Sequence, residues 1–348
     1  MTANCSLKQW VRELSVRFLS QQAHARVAHA YNKVAARFVE RRYRKPSDGR
    51  LFFSLPLVYI SQSPRSGGTF LRNVFDGHRQ CLVAPHELSW DKKGFAWDAS
   101  LEGLVWAEAY ERLCDPWLDH AIVNGLDKRH PFAFNRSLQK AYFRRFAAAA
   151  PAHERRYADC YLSSLFNAWM DYQNLYGPQK KYFVAFCPGH RRNTEHADRF
   201  FAFYPDGYRI HCVRDPLNWW ASEKHYGANA KRPEDYLSLW ADTVRSGMEC
   251  VRKHPERYVL VCFEKILLDM EGFVRRICAR LGLEADPIMF TPTINNMPRR
   301  ANTSFGKGKT GVDTTAVDRG RQCLDPGEQE HILELAGDLY EQAAAMSL

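Results

Sequence analysis

The chain has 348 residues, enough for one large α/β domain or two smaller ones, and its 45% hydrophobic and 13% aromatic content can fill a core. No apolar run approaches the roughly 20 residues that span a membrane, and no apolar signal-peptide core stands before a small-residue cleavage site near the N-terminus. The net charge of +10 is concentrated in residues 1–50, where eleven Lys/Arg face three acids; the body is nearly neutral, which argues against a nucleic-acid partner.

Residues 7–43 read as one or two helices, with Trp10, Leu14, Phe18, Val27, Tyr31, Val34 and Phe38 at helical spacing. Arg12, Arg17, Arg26, Lys33, Arg37, Arg41 and Arg42 line much of the rest. Such an arm is either a solvated helix on the domain or a strip resting on an anionic membrane, where each basic residue adds about 1 kcal/mol. An Arg-rich organelle presequence is a third reading. Arg44 to Gly49 breaks the pattern, so 1–50 is a basic helical arm and 51–348 a single domain.

Leu55 to Ile60 reads as a buried strand. A polar turn with two glycines follows, and Phe70, Leu71, Val74 and Phe75 then recur at helical spacing. A strand, a tight turn and a helix aim free N–H groups and the positive end of a helix dipole at one point, which makes an anion site. Arg65 adds a permanent charge there, and the Ser66 and Thr69 hydroxyls add donors. The helix stops near Asp76-Gly77, and Cys81–Ala84 is a short strand leading into Pro85-His86-Glu87.

An aromatic-rich insert spans about 88–158, irregular at first, with Trp90, Phe95, Trp97, Trp106, Tyr110, Trp117, Phe132 and Phe134. It is too aromatic for a disordered linker, and reads as a helical cover with its own small core or as an acceptor-binding lid. A helix over Asp159–Tyr176 precedes a strand over Lys181–Phe186 and a helix around 194–204. The strand Tyr208–Val213 ends in Arg214-Asp215-Pro216, and the next helix carries Ser222. A helix over 234–253, a strand Tyr258–Phe263 and a helix stopped by Gly282 follow. Residues 287–324 are looser and contain Lys307 and Lys309; the last helix opens on Asp325-Pro326-Gly327-Glu328, a capping box with proline at its first position.

Alternating strands and helices predict an α/β fold, a mostly parallel sheet flanked by helices on both faces. Ligands of such sheets bind at the carboxyl ends of the strands, where both Arg65 and Arg214 fall. The ten cysteines form no C-x-x-C pair, and Cys187, Cys212 and Cys262 fall in or beside strands, which fits a reducing, cytoplasmic compartment. The loop lacks the Gly-Lys-Ser/Thr ending that holds ATP phosphates and magnesium, and no acidic cluster offers a metal site. It has the parts to bind an anion without the parts to bind a metal.

Pro64-Arg65-Ser66-Gly67-Gly68-Thr69-Phe70 resembles the 5′-phosphosulfate loop of sulfotransferases that use 3′-phosphoadenosine 5′-phosphosulfate (PAPS). Gly68 departs from their usual hydroxyl residue; it loses a side-chain donor and keeps its backbone N–H. A second likeness is Val213-Arg214-Asp215-Pro216 with Ser222 eight residues after the Arg, which in the family hold the nucleotide's 3′-phosphate. A third runs from Val261-Cys262-Phe263-Glu264 to Arg280-Leu281-Gly282-Leu283. The resemblance covers about residues 57–310 and implies a P-loop-like sulfotransferase fold of the bacterial or carbohydrate type, PAPS as donor, its desulfated form PAP as product, and no metal.

By that resemblance Arg65 stabilises the leaving phosphate, and Glu87, after the second strand, is the base, with His86 beside it as the other candidate. Some relatives carry a Lys two residues before the Pro after the third strand; here Phe186 stands there, before Cys187-Pro188, so its role passes to another residue such as Lys181 or His190. Phe70 sits where an aromatic commonly meets the nucleotide, although it also opens an amphipathic helix as a core residue would. Thr303 to Lys309 resembles the loop that closes on the nucleotide, with Lys307 and Lys309 as anion clamp. The aromatic insert suits sugar rings, so the acceptor expected is a carbohydrate or glycolipid, with peripheral membrane contact through the arm. The alternatives are an ATP-using P-loop kinase and a catalytically inactive interaction module that keeps the fold.

Overall fold

Five runs of β-branched, aromatic and cysteine residues form the centre of the molecule: β1 (Leu57–Gln62), β2 (Cys81–Glu87), β3 (Tyr182–Pro188), β4 (Tyr208–Val213) and β5 (Tyr258–Cys262). The computed structural model describes residues 51–90, 101, 103–126, 132–177, 179–188, 193–228, 232–301, 303, 305 and 308–348. The basic arm over 1–50, Phe95, Trp97, His190 and Lys307 lie outside the described residues.

The strands pair in the order β2-β3-β1-β4-β5, and every pairing is parallel. Parallel neighbours need crossovers, and the helices supply them. In chain order these are α1 (Gly68–Phe75), α2 (Trp106–Leu113), α3 (Pro116–Asn124), α4 (Arg136–Ala149), α5 (Arg156–Ala168), α6 (Asn193–Phe203), α7 (Pro216–Glu223), α8 (Pro233–Lys253), α9 (Phe263–Leu268), α10 (Met270–Leu281), α11 (Arg319–Cys323) and α12 (Pro326–Ala345). A two-stranded hairpin, β6 (Thr293–Ile294) with β7 (Met297–Pro298), stands apart. No helix among the described residues is long and apolar enough to cross a membrane.

Strand alternation sorts the core into two faces. Val58, Ile60, Val83, Val184, Phe186, Ile210, Cys212, Val259 and Val261 pack under α1, α9 and α10. Leu57, Tyr59, Leu82, Ala84, Phe183 and Ala185 face the insert helices α2 to α5 and α6. The β5 residues Leu260 and Cys262 pack with α7, α8 and α12 in a third cluster. Most of the insert's described rings are spent in the core: Trp90, Tyr110, Phe132, Phe134, Phe143 and Phe146 are buried, whereas Trp117 is exposed. It is a helical cover on the sheet.

Two boundaries differ from the sequence pattern. β2 continues through Pro85-His86-Glu87 to Glu87, with an irregularity after Val83. Proline is tolerated there because β2 is an edge strand, paired only with β3. The helix expected over Asp159–Tyr176 is α5, ending at Ala168, because Trp169 bridges to Phe134 and the chain turns into the insert's core. Helix ends follow local chemistry more closely: Asp215 caps α7 by accepting from Asn218 N at 3.0 Å, Asp325 caps α12 from Glu328 N, and Gly282 closes α10 with φ +62°.

Candidate active site

At the carboxyl ends of the strands, residues of the α1 face continue into a cavity of about 260 Å³. Gln62 ends β1, Phe186 and Pro188 end β3, Glu87 ends β2, Arg214 follows β4 and Phe263 follows β5; all line the cavity. The α1 N-terminus and the turn before it close one side.

Two left-handed residues shape that turn, Arg65 (φ +65°) and Gly67 (φ +96°). Gly67 has a second reason to lack a side chain, since a Cβ there would run into the Phe263 ring. Three neighbours hold the loop's carbonyls: Trp219 Nε1 donates to Pro64 O at 2.7 Å, Arg214 Nη1 to Arg65 O at 2.8 Å, and Cys212 Sγ to Ser66 O at 3.0 Å. Pro64, Arg65, Gly67, Gly68, Thr69 and Phe70 line the cavity, whereas Ser66 is buried beneath it with no hydrogen-bond partner for its hydroxyl among the described residues. Phe70 packs edge-on to Phe263 at 5.5 Å while it lines the cavity.

Gly68 differs from expectation. Its N–H, taken as a donor left over for an anion, donates to Gln62 Oε1. A Cβ at this position would overlap both the Phe186 ring and the Gln62 amide. The hydroxyl residue usual at this place therefore has no room, because Phe186 and Gln62 fill it.

The cavity's cations come from three elements. Arg65 Nε donates to Ser222 Oγ of α7 at 3.2 Å, and the Arg65 guanidinium lies 4.8 Å from the ring centroid of Tyr226. Tyr226 stands on a π-helical turn, Lys224–Ala228, that extends α7, and is 73% exposed. Arg214 is buried, with its guanidinium over the Phe263 ring at 5.3 Å and its Nε 3.8 Å from Glu264. Burial pulls the Arg214 pKa down, while Glu264 opposes the shift. Burial pushes the Glu264 carboxyl up to about 7 against the attraction of Arg214. Glu264 also accepts from Asp215 N at 3.0 Å, Asn218 Nδ2 at 3.2 Å and the Tyr340 hydroxyl at 3.2 Å, so the carboxylate is well supplied with donors while Arg214 Nε meets it by charge alone. Arg319 is the third cation: it pairs with Asp313 at 2.8 Å, donates to Thr303 Oγ1 at 3.2 Å and lies 5.5 Å from the Phe305 ring centroid.

At the other end of the cavity only one of the two base candidates is present. Glu87 pairs in register with Phe186 and lines the cavity on the same face. His86 follows the alternation of Leu82, Ala84 and Leu88 toward the insert and does not line the cavity. It is 5% exposed, neither ring nitrogen has a hydrogen-bond partner among the described residues, and burial, then the charges of Arg72 and Arg136, pull its pKa down to about 3. A buried neutral imidazole behind the strand cannot take a proton from a group in the cavity. Arg72 is buried on α1, its pKa lowered to about 10 chiefly by burial, and the Glu87 carboxylate favours its charged form.

Two further expectations are corrected. Lys181 cannot stand in for the missing lysine: it precedes β3 at the amino end of the sheet, where its Nζ donates to Gly282 O at 2.6 Å. Lys309 is exposed and does not line the cavity; Ala301, Thr303 and Phe305 of the same loop do. Gln62, Tyr226, Phe305 and Arg319 are the residues missed by sequence reading. Tyr226 alone carried a signal, one helical turn beyond Ser222.

A family model described as "Sulfotransferase family" matches residues 56–287, two-thirds of the chain. A search of curated proteins finds no match. Among solved structures, similarity extends to the sulfotransferase domain of the Synechococcus PCC 7002 olefin synthase, 18% identical over 84% of this chain and 97% of that one, with a TM-score of 0.46. The sulfotransferase domain from the curacin biosynthetic pathway is 16% identical over 82% and 99%, with a TM-score of 0.45. The sulfotransferase STF9 from Mycobacterium avium is 11% identical over 87% and 81%, with a TM-score of 0.40.

Proposed function

The chain belongs to the sulfotransferase family, and from that premise we propose that it moves a sulfuryl group from PAPS to a hydroxyl or amine of an acceptor. The observation that carries this reading is the meeting of Arg65, Ser222 and Arg214 at one end of a cavity whose other end holds Glu87. The family assignment displaces the ATP-using kinase.

The residues fit the donor. The glycine turn lines the cavity, packed so closely on Phe263 that a Cβ at Gly67 would overlap its ring, and three guanidinium groups line the same cavity. Bound PAPS supplies the activated sulfuryl group, whose bond to the 5′-phosphate breaks as a bond to the acceptor oxygen or nitrogen forms. Arg65 and the loop's N–H groups meet the charge that grows on the leaving oxygen. Arg214 and Ser222 hold the 3′-phosphate, and Glu87 takes the acceptor's proton. Phe305 and Tyr226, each beside a guanidinium, offer faces to the base of the nucleotide.

The aromatic insert that pointed to a carbohydrate or glycolipid acceptor keeps its described rings away from the cavity. We therefore keep that class as one arm of a screen: labelled PAPS offered to sugars, lipid-linked sugars, phenols and amines, with the product identified by mass. Nine free cysteines among the described residues support a reducing, cytoplasmic location, and the basic arm is the proposed contact with an anionic membrane surface.

Calorimetric titration with PAP tests the donor site. Binding at micromolar PAP is expected; no binding at high micromolar PAP by folded protein would sink the proposal. Glu87→Gln is expected to abolish turnover and leave PAP affinity within about threefold, since PAP lacks the group on which the base acts.

A further inference from the structure

Between the anion loop and Glu87 the cavity has a floor. The sheet order β2-β3-β1 puts β3 between the strand that ends in Glu87 and the strand that ends in the loop. Neighbouring strands lie about 4.8 Å apart, so the carboxylate and the loop are separated by about 10 Å of strand ends. A group that passes from an anion held by the loop to an acceptor deprotonated by Glu87 lies within that interval. The side chains on this face of it are Phe186 and the apolar Pro188 on β3 and Gln62 on β1. Phe186 has no polar atom. Gln62 is the one that can donate.

The orientation of the Gln62 amide follows from its partner. Gly68 N–H is a donor and can meet only the carbonyl oxygen, so Oε1 is committed and Nε2 is the atom left for the cavity. The side chain is 3% exposed, lines the cavity, and its amide nitrogen has no hydrogen-bond partner among the described residues. The amide lies so close to the Gly68 backbone and the Phe186 ring that a Cβ on Gly68 would overlap both, and the bond from Gly68 N–H fixes its direction. Three features of the sequence, unrelated when read singly, thus make one unit. The loop has Gly68 in place of a hydroxyl residue, β3 has Phe186, and β1 ends in Gln62.

We propose that Gln62 contacts the transferring sulfuryl group through Nε2, as a neutral hydrogen-bond donor held in place by Gly68 N–H; the inference rests on the PAPS reading above. A donor aimed at a sulfuryl oxygen stabilises negative charge there without a side chain that must first lose or gain a proton.

PAP and PAPS differ by the sulfuryl group, so their affinities separate this role from a structural one. Gln62→Glu keeps an oxygen for Gly68 N–H and replaces the donor by a second oxygen. Gln62→Met removes both. Calorimetric titration of each folded variant with PAP and with PAPS is expected to show the PAPS:PAP affinity ratio falling at least about tenfold, the loss of one hydrogen bond to a charged group. If Gln62 only shapes the loop, both affinities fall together and the ratio is unchanged in both variants, which overturns the proposal while the donor reading stands. Gln62→Glu carries the test alone if Gln62→Met does not fold. Absence of PAP binding by the unaltered protein would bring down the donor reading and this proposal with it.

Discussion

Replacing Gly68 by Ala sets two known effects against each other. Gly68 is the first residue of α1, and its φ is not in the left-handed region. On helix propensity alone Ala should therefore stabilise the protein by about 0.5–1 kcal/mol. The structure gives the opposite sign, because the new methyl group meets the Phe186 ring, which is 1% exposed and packed in the core under α1, and the Gln62 amide. Inserting a carbon into such a space costs about 1–3 kcal/mol. The packing effect wins, and a net loss of about 0.5–2 kcal/mol is expected, a visible fraction of a total stability of about 5–15 kcal/mol. Urea unfolding followed by fluorescence measures it as a lower midpoint at unchanged slope. Phe186→Leu makes room, so the double variant is expected to be more stable than the sum of the single changes predicts, by about 1 kcal/mol. A Gly68→Ala protein as stable as the parent, or strict additivity in the cycle, would refute the account of why this loop has its second glycine.

Arg65→Ala and Arg214→Ala are each expected to weaken PAP binding by at least about tenfold, the value of a charge-assisted hydrogen bond, read by calorimetry. His86 has a folded pKa depressed from 6.5 to about 3. Its stabilising contribution is thus complete above pH 6.5 and is lost as pH falls toward 3. His86→Leu should match the parent at pH 7 and lose less stability between pH 6.5 and 4 in urea titrations; an unchanged acid limb would contradict this. Glu264 is raised from 4.5 to about 7, so its contribution is complete below pH 4.5 and falls as pH rises through 7. Glu264→Gln should flatten the decline between pH 5 and 8, measured by the same midpoints, and a decline as steep as the parent's would refute the assignment.

Much of the site was legible because its parts are local in sequence. A strand, a glycine turn and a helix within nineteen residues, Leu57 to Phe75, make an anion-binding geometry. Arg214 with Ser222 is a capped helix start, and the cap Asp215 sits where the spacing puts it. Periodicity likewise separated most strands from helices, because burial on one face or both imposes a period of 2 or 3.6 on the residues themselves.

What stayed hidden depends on which residues from distant segments share a face. Glu87 and His86 are adjacent in the chain, and composition does not rank them. The pairing of Glu87 with Phe186 sends one carboxylate into the cavity and leaves the imidazole behind the strand, buried and neutral. Gln62 carries no motif, and its amide gains a direction only because Gly68 and Phe186, 6 and 124 residues away, surround it. Arg319 enters the cavity from a segment with no periodicity, held by Asp313 and Thr303. The sequence alone therefore determined the fold class and the anion loop, whose physics acts over one turn of chain. The tertiary structure decided which of the two base candidates faces the cavity, what forms the cavity's floor and where the third cation enters. Those follow from strand order and side-chain alternation, and neither is written in any single stretch of residues.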